Sequence, residues 1–444
     1  MDMTRLEWLS AGDAAQGIRD GLFDSEQLVQ ACLERIRQTE GEVQAWQHLD
    51  EAHALAQARA RDADRREGRP TGPLHGVPVG LKDIIDTLDM PTEDGTVLHA
   101  GRMAGRDAAV VARLRAAGAV ILGKTVTTEL ATYAAGKTRN PHDPSRTPGG
   151  SSSGSAAAVA AGMVPLTLGT QTNGSVIRPA AFCGVYGFKP SQGLVSRHGI
   201  LKTSRTLDCV GWFARNLDDI ALLAEVLCGH DERDTDTRVQ ASPPFLRMLA
   251  QEPPLPPRFA WVKTPMWPQA DADTHEALAE VAEVLGTQCE SFDVGESVRA
   301  AWDWHRTIME AEMAFNLDAE WTRGRDKLSS SLQQQLQRGR EVSALDYQHA
   351  QARIPQLVDG FDELFERFDA ILTPAAPGSA PPLGNTGDPV FCTLWSLCGM
   401  PALNLPLLHA PDNLPMGLQL VGRRGDDARL LRSARWLVRQ LQAA

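Results

Sequence analysis

Two glycine-rich turns flank a run of alanines and a short apolar segment in residues 148–184. The stretch reads Pro148-Gly-Gly-Ser-Ser-Ser-Gly-Ser-Ala-Ala-Ala-Val-Ala-Ala-Gly162 and then, from residue 169, Gly169-Thr-Gln-Thr-Asn-Gly-Ser-Val-Ile-Arg-Pro-Ala-Ala-Phe-Cys-Gly184. A glycine turn that leads into a helix exposes backbone N–H groups, which can hold an anion or a developing oxyanion. A flexible linker is the alternative, but alanine is a strong helix former. The pattern favours a closely packed helix over residues 155–162.

The segments on either side alternate between short apolar runs and helical patterns. Val77 to Leu81 reads as a strand that ends at Lys82, and a helix over 108–117 precedes a buried strand over 119–122. This alternation predicts an α/β sheet. Further core strands are expected over 164–170, 185–188, 369–373 and 416–421, with helices over 53–67, 297–366 and from about Asp427 onward.

The composition is that of a globular protein rather than a nucleic-acid or membrane protein. The 444 residues are 43% hydrophobic and 23% charged, and 56 acidic against 44 basic side chains give a net charge of -12. An acidic chain is not expected to bind nucleic acid directly, because that requires a basic face. No apolar run is long enough to span a bilayer. The seven scattered cysteines predict reduced, mostly buried thiols and a cytoplasmic protein.

Lys82 and the serines of the glycine-rich stretch are the candidates for chemistry. A serine hydroxyl needs a base to take its proton, and a lysine can serve when burial lowers its pKa. Ser-Lys arrangements are an established variant of the Ser-His-Asp triad. The alternative is a surface lysine paired with Asp83 or Asp86, and the residues alone leave both readings open.

Two other motifs compete for the same stretch. Residues Gly150 to Gly154 match the G-x-S-x-G nucleophile elbow, but that motif needs a strand immediately before it and residues 140–148 read as a loop. A phosphate-binding P-loop would end in Gly-Lys-Ser/Thr, and no lysine follows here. No metal-ligating cluster and no dinucleotide fingerprint is found, so neither a metal nor a cofactor is expected.

The chain resembles the amidase signature family of serine hydrolases. The matching segments occur in the family's order and cover nearly the whole chain: Gly76-Val-Pro-Val-Gly-Leu-Lys-Asp-Ile-Ile-Asp-Thr87, Gly123-Lys-Thr125, Arg139-Asn-Pro141, Pro148-Gly-Gly-Ser-Ser152, Gly174-Ser175, Pro179-Ala-Ala-Phe-Cys-Gly184, Gly187-Phe-Lys-Pro190, Gly399-Met-Pro401 and Gly417-Leu-Gln419. The resemblance implies one large mixed, twisted β-sheet surrounded by helices.

The same resemblance implies the site residues. Ser175 would be the nucleophile, Ser151 a bridging serine after a cis peptide bond, and Lys82 the base. The backbone N–H groups of Thr172, Asn173, Gly174 and Ser175 would form the oxyanion hole. Substrate-binding roles are implied for three further residues, with ordinary core packing as the alternative for the tyrosine: Tyr133, Gly150 and Arg178.

Three departures from the family pattern bear on the substrate. Asn173 replaces a usual glycine, and asparagine tolerates a left-handed backbone. Gln171 replaces a common aspartate. Arg178 follows the nucleophile by three residues rather than two, which in extended backbone would turn its side chain to the opposite face. Gln171 and the shifted arginine are similar to the bacterial malonamidase branch, in which the arginine holds a substrate carboxylate. A structural arginine that bonds backbone carbonyls is the alternative.

We therefore expect a single amidase domain over 1–444 that cleaves a small-molecule amide, with a carboxylate-bearing amide as the specific hypothesis. Its parts are a helical segment, a signature core, a variable mostly helical region and C-terminal core strands with a helix (1–70, 71–229, 230–366 and 367–444). The main alternative is the amidase subunit of a tRNA-dependent amidotransferase, which would need partner proteins. A non-catalytic binding protein on the same fold is a third reading. Homodimers are common in relatives, so a homodimer and a small partner protein both stay open.

Overall fold

A computed structural model describes residues 5–443 of the chain. Within these residues a single mixed sheet of eleven strands runs through the molecule, and helices cover it. The strands are β1 (Trp46–Leu49), β2 (Pro78–Lys82), β3 (Val120–Thr125), β4 (Leu166–Gln171), β5 (Tyr186–Lys189), β6 (Cys209–Ala214), β7 (Phe259–Lys263), β8 (Cys289–Asp293), β9 (Ala370–Pro374), β10 (Ala402–His409) and β11 (Pro415–Val421). The expected α/β class and large mixed sheet are confirmed.

The helices are α1 (Ala11–Arg19), α2 (Ser25–Val43), α3 (Glu51–Arg66), α4 (Ala109–Ala116), α5 (Ser153–Ala160), α6 (Ile177–Cys183), α7 (Leu217–Leu227), α8 (Phe245–Ala250), α9 (Ala272–Leu285), α10 (Ala301–Asn316), α11 (Asp318–Gly324), α12 (Ser330–Glu341), α13 (Ala344–Leu364), α14 (Val390–Leu397) and α15 (Asp427–Ala443). The sequence predicted α3, α4, α5 and the start of α15 to within a few residues, and α10 to α13 only as one mostly helical region. In the proline-rich segment 230–257, α8 buries Phe245 and Leu249.

The strand order is β1-β3-β2-β4-β6-β5-β10-β11-β9-β7-β8. Strand β2 lies parallel to β3 on one side and to β4 on the other, while β4 and β6 are antiparallel. All residues of β2 and β4 are buried, as expected for strands that are covered on both faces. The pairing of β2 with β4 places the carboxyl ends of these two strands side by side.

Helix α5 packs so closely on its neighbours that only small residues fit. A Cβ atom on Gly154 would lie 2.2 Å from the carbonyl oxygen of Ala45 and 2.5 Å from the backbone nitrogen of Val126. Both contacts are with backbone, which cannot rotate away as a side chain can. The small-residue composition of this helix is therefore a requirement of its packing.

Gly154→Ala is accordingly expected to destabilise the fold by about 1–3 kcal/mol, the usual cost of overpacking. Gly41→Ala is the matched control, because Gly41 lies in α2 and a Cβ there meets nothing within 4 Å. That control should raise stability by about 0.5–1 kcal/mol. Urea unfolding of both variants measures the difference, and equal stability of the two would show that the close packing is not required.

Candidate active site

Lys82 ends β2 and is completely buried, with an exposed fraction of 0%. Its Nζ lies 2.6 Å from Ser151 Oγ and donates a hydrogen bond to Thr170 Oγ1 at 2.9 Å. Thr170 belongs to β4, so the pairing of the two strands creates this contact. The alternative of a surface lysine paired with an aspartate is wrong, since Asp83 instead lies 3.6 Å from Lys124 Nζ.

Burial lowers the pKa of Lys82 to about 7, because the charged ammonium loses its hydration. The nearby carboxylate of Asp208 opposes this shift by favouring the charged form. An amine with this pKa is substantially neutral at neutral pH and can accept a proton. The lysine therefore has the protonation behaviour that a general base needs.

Ser151 and Ser175 come from the two glycine-rich turns. The peptide bond between Gly150 and Ser151 is cis, and Ser151 is buried against Lys82. Ser175 is 8% exposed and lines a small pocket of about 20 Å³. Gly150 is not on this pocket wall; its carbonyl oxygen accepts a hydrogen bond from Arg178 Nη2 at 2.7 Å.

The turn before Ser175 is held by a glutamine. Gln171 Oε1 accepts hydrogen bonds from the backbone N–H groups of Val176 (2.8 Å) and Ile177 (3.0 Å), at the start of α6. Its amide nitrogen donates to Ser396 Oγ at 3.0 Å. The neutral amide oxygen thus accepts hydrogen bonds from the helix N-terminus, as a carboxylate at this position could.

The backbone N–H groups of the turn are free to bind an anion. In the described part of the chain, those of Asn173, Gly174 and Ser175 donate to no protein acceptor outside regular secondary structure. Asn173 does not adopt a positive φ, so the tolerance of asparagine for a left-handed backbone is not used here. Its side chain instead donates to Tyr133 Oη at 3.2 Å and accepts from Thr393 Oγ1 at 2.8 Å. These two contacts hold the residue without a left-handed backbone.

Two residues that the sequence analysis missed fix Thr172. Its Oγ1 donates to Asp208 Oδ1 at 2.5 Å, and its carbonyl oxygen lies 3.1 Å from Nε2 of His305. Burial lowers the pKa of His305 to about 4, so the neutral ring donates this hydrogen bond. The only sequence signal is the spacing of His305, Met309 and Met313, four residues apart on one face of α10.

The small pocket at Ser175 is partly apolar and partly polar. Met309 and Met313 of α10 form one part of its wall, and Tyr133 lies on it beside Asn173. Tyr133 therefore lines the pocket. The sequence analysis had left pocket lining and core packing as alternatives for this residue. The remaining wall residues are Ala131, Thr132, Thr172, Ser175, Arg178 and Thr203.

Arg178 reaches this pocket from α6, and its side chain is 1% exposed. The expectation of extended backbone is wrong: the residue is helical, so a one-residue shift rotates the side chain by about 100° rather than 180°. Its Nη1 and Nη2 donate to the carbonyl oxygens of Gly387 (2.9 Å) and Gly150 (2.7 Å), and its Nε has no hydrogen-bond partner in the described part of the chain. No carboxylate of residues 5–443 lies within 4.0 Å of the guanidinium.

Residues 5–443 contain no grouping of three or more histidine, cysteine or acidic side chains that could hold a metal ion. None of the helices in this range combines the length and the apolar character needed to cross a membrane. The cysteines are free thiols, and all except the partly exposed Cys289 are buried.

Comparison of the sequence and the fold with known proteins identifies the family of the chain. The family model described as Amidase matches residues 27–431. A glutamyl-tRNA(Gln) amidotransferase subunit of Chloroflexus aggregans is 36% identical over 472 aligned residues, covering 97% of this chain and 96% of the relative. Peptide amidase from Stenotrophomonas maltophilia is 30% identical with a TM-score of 0.85, covering 98% of this chain and 97% of that one.

A second solved structure is even more similar in shape. It is described as an unexpected vestigial protein complex that reveals the evolutionary origins of an s-triazine catabolic enzyme. Its TM-score is 0.91 at 28% identity, with 97% of this chain and 98% of that chain covered. The family match and the shared fold both rest on almost the full length of the chain. This chain therefore belongs to the amidase signature family and is a hydrolase of carbon–nitrogen amide bonds.

Proposed function

We propose that the chain is a free-standing amidase that hydrolyses a small, carboxylate-bearing amide through Ser175, Ser151 and Lys82. The observation that carries this proposal is the buried contact of 2.6 Å between Lys82 Nζ and Ser151 Oγ. A buried amine with no carboxylate in contact, placed against a serine hydroxyl, is what a serine nucleophile requires as its base. Free thiols agree with an enzyme of the reducing cytoplasm.

The proposed reaction runs in two steps. Ser175 Oγ attacks the amide carbonyl carbon, and its proton passes through Ser151 to neutral Lys82. The C–N bond then breaks as Ser151 returns a proton to the leaving nitrogen, which departs as ammonia or an amine. Water attacks the resulting ester, losing its proton by the same route, and releases the carboxylic acid and free Ser175.

The turn preceding Ser175 would stabilise the tetrahedral intermediate. The backbone N–H groups of Asn173, Gly174 and Ser175 are candidate donors to the oxyanion. The N–H group of Thr172 is a fourth candidate. Such donors act best when they are held in place before the substrate arrives. The contacts of Gln171, Asp208 and His305 hold this turn in place.

Arg178 would bind the substrate carboxylate. Burial lowers the pKa of its guanidinium, because a buried charge without a counterion is costly. Its two carbonyl contacts support the structural alternative, but carbonyl oxygens do not neutralise its charge. A carboxylate on the acyl part of the substrate would do so, as in the malonamidase-like branch.

Arg178→Ala should therefore raise KM for malonamate by about tenfold or more, as loss of a charge-assisted contact does. The neutral amide propionamide serves as the comparison substrate. It has no carboxylate that could pair with the guanidinium of Arg178. Initial rates over a range of substrate concentrations measure both KM values. An unchanged KM for malonamate in a folded variant would leave the arginine with a structural role.

Ammonia release by the purified chain tests the whole proposal. Malonamate should be hydrolysed faster than propionamide and benzamide, and Ser175→Ala should abolish the activity on all three. Preference for the neutral amides would retain the Ser175 mechanism and remove the carboxylate hypothesis. Activity that survives Ser175→Ala would contradict the mechanism.

A second function is favoured by a specific observation. The relatives at 36% identity are amidotransferase subunits, and the alignment covers nearly both chains. In that role, this chain would act in a complex with partner proteins. That reading predicts no more than weak ammonia release from glutamine by the chain alone, and a purification in which the tagged chain brings partner subunits with it. Efficient turnover of malonamate by the isolated chain would contradict it.

The depressed pKa of Lys82 predicts the pH dependence of catalysis. The base must be neutral, so kcat/KM should fall as the pH drops through about 7 and the lysine becomes protonated. Well below this pH the decline should approach about tenfold per pH unit, as expected for a single ionisation. Rates of malonamate hydrolysis between about pH 5.5 and 9 measure the profile. A rate that stays flat down to the lowest of these values would exclude Lys82 as the base.

A further inference from the structure

A large chamber of about 610 Å³ borders the small pocket at Ser175. Ala131 and Thr203 line both spaces. Thr170 is also on the chamber wall, and its Oγ1 is the atom that accepts the hydrogen bond from Lys82 Nζ. The chamber therefore borders the site on the side of the lysine.

The two spaces differ greatly in size. The free space beside Ser175 is only about 20 Å³ and leaves no room for a long substituent. The chamber has room for a substituent of many atoms. A substrate larger than a short acyl group must place its remaining atoms in the chamber.

Arg178 decides which end of the substrate this is. In the proposed mechanism Ser175 attacks the acyl carbon and Arg178 binds the acyl carboxylate, and both residues line the small pocket. The acyl end therefore belongs to the small pocket. The bordering chamber remains for the group attached to the leaving nitrogen.

The acidic side chains of the chamber wall already have partners. Asp86 and Asp94 lie 2.7 Å and 3.3 Å from Arg102, and Asp234 and Asp236 lie 3.2 Å and 2.5 Å from Arg197. Asp94 and Asp236 have second partners, His99 at 2.8 Å and Arg205 at 2.9 Å, and the contact with the Asp94 carboxylate raises the pKa of His99 to about 9. Four positively charged groups thus face the four carboxylates and leave little charge to bind a ligand.

Asp208 is the fifth acid of the wall, and it accepts hydrogen bonds from Thr172, Thr203 and Ser204. Arg106 and Lys202 on the same wall are exposed and have no carboxylate of residues 5–443 within 4.0 Å. Among the wall charges that have no ion-pair partner within residues 5–443, these two cations outnumber Asp208, so the balance is positive, which suits a carboxylate.

We infer that the chamber is a subsite for a leaving amine that carries a carboxylate, so that the substrate class is an N-substituted amide with a short acyl group. The inference rests on the proposed function for its orientation. Hydrolysis adds water across the C–N bond, giving a short carboxylic acid and an amino acid-like amine.

Three ligands with the same acyl group test the chamber: malonamate, N-propylmalonamate and N-(2-carboxyethyl)malonamate. Titration calorimetry with the Ser175→Ala protein measures binding without turnover. The carboxyethyl ligand should bind about fivefold tighter than the propyl ligand, as two exposed ion pairs allow. The same tails on an acetyl group repeat the comparison without the malonyl carboxylate.

The double variant Arg106→Gln/Lys202→Gln, made on Ser175→Ala, should bring the two affinities to within about twofold. Arg37→Gln/Arg306→Gln changes the net charge equally, and neither residue lines the chamber; it should keep the preference. Equal binding of the propyl and carboxyethyl ligands to the parent protein, or a preference that survives in the double variant, would overturn the inference.

Turnover by the enzyme with Ser175 intact separates this inference from the proposed function. Binding that depends on Arg106 and Lys202 without hydrolysis of any of the amides would retain the subsite and contradict the proposed function. Rapid hydrolysis of malonamate, with no advantage for the carboxyethyl ligand in binding or kcat/KM, would retain the amidase and overturn the subsite.

Discussion

Replacing Ser175 with alanine is expected to lower kcat by at least about 10³-fold, since loss of a serine nucleophile removes the covalent pathway. The fold should tolerate the change, because the hydroxyl makes no hydrogen bond within residues 5–443 that alanine would leave unmatched. Malonamate hydrolysis measures the loss, and thermal unfolding followed by circular dichroism confirms that the variant is folded.

Ser153→Ala is the matched control for this change. Ser153 lies in the same glycine-rich stretch, and within residues 5–443 its hydroxyl makes only a long hydrogen bond of 3.3 Å to the carbonyl oxygen of Val126. The control should retain most of the activity. A folded Ser175→Ala protein that keeps more than a few per cent of the wild-type rate would remove Ser175 from the mechanism.

Lys82→Met should cause a loss of similar size for a different reason. Methionine fills about the same volume but cannot accept a proton, so Ser151 has no base behind it. Groups that act as one unit are strongly non-additive, and the Lys82→Met/Ser175→Ala double variant should therefore be no slower than either single variant. Additive losses in the double variant would show that the lysine and the serine act independently.

The stability of Lys82→Met separates catalysis from folding. A buried ionisable group is often replaced by an apolar one at little cost, while Ser151 and Thr170 lose a hydrogen-bonding partner. These opposing effects should leave the unfolding temperature within a few degrees of wild type. A variant that does not fold would instead make Lys82 a structural residue, and Lys82→Arg, which keeps donors but cannot lose its proton, would then be the variant to assay.

Local patterns in the sequence predicted the centre of the fold well. Strand β2 with its terminal lysine, helix α5 and strand β4 are each encoded by a continuous run of residues. The segment from Cys209 to Ala214 was not predicted as a strand, and neither was β10, whose Pro406 weakens the strand pattern. Both segments become strands because they pair with strands that are distant in the sequence. A local sequence window does not contain these partners.

One expectation at the site was wrong because a helix signal was overlooked. The sequence analysis treated the residues after Ser175 as extended backbone, although Pro179 near the start of an alanine-containing segment is typical of the first turn of a helix. The tolerance of asparagine for a left-handed backbone was not needed, because contacts with Tyr133 and Thr393 hold Asn173 without one. His305 and Asp208 join the site only through tertiary packing, so their positions in the sequence carry little signal.

The hydrogen bonds of Asn173 to α14 have a consequence for how the enzyme is made. Thr393 and Ser396 donate to the side chain and the carbonyl oxygen of Asn173, more than two hundred residues earlier in the chain. Synthesis proceeds from the N-terminus, so Lys82, Ser151 and Ser175 leave the ribosome long before these donors exist. A nascent chain thus carries Lys82, Ser151 and Ser175 before the contacts of Asn173 with Thr393 and Ser396 can form. Under the proposed mechanism, full activity should emerge only late in translation.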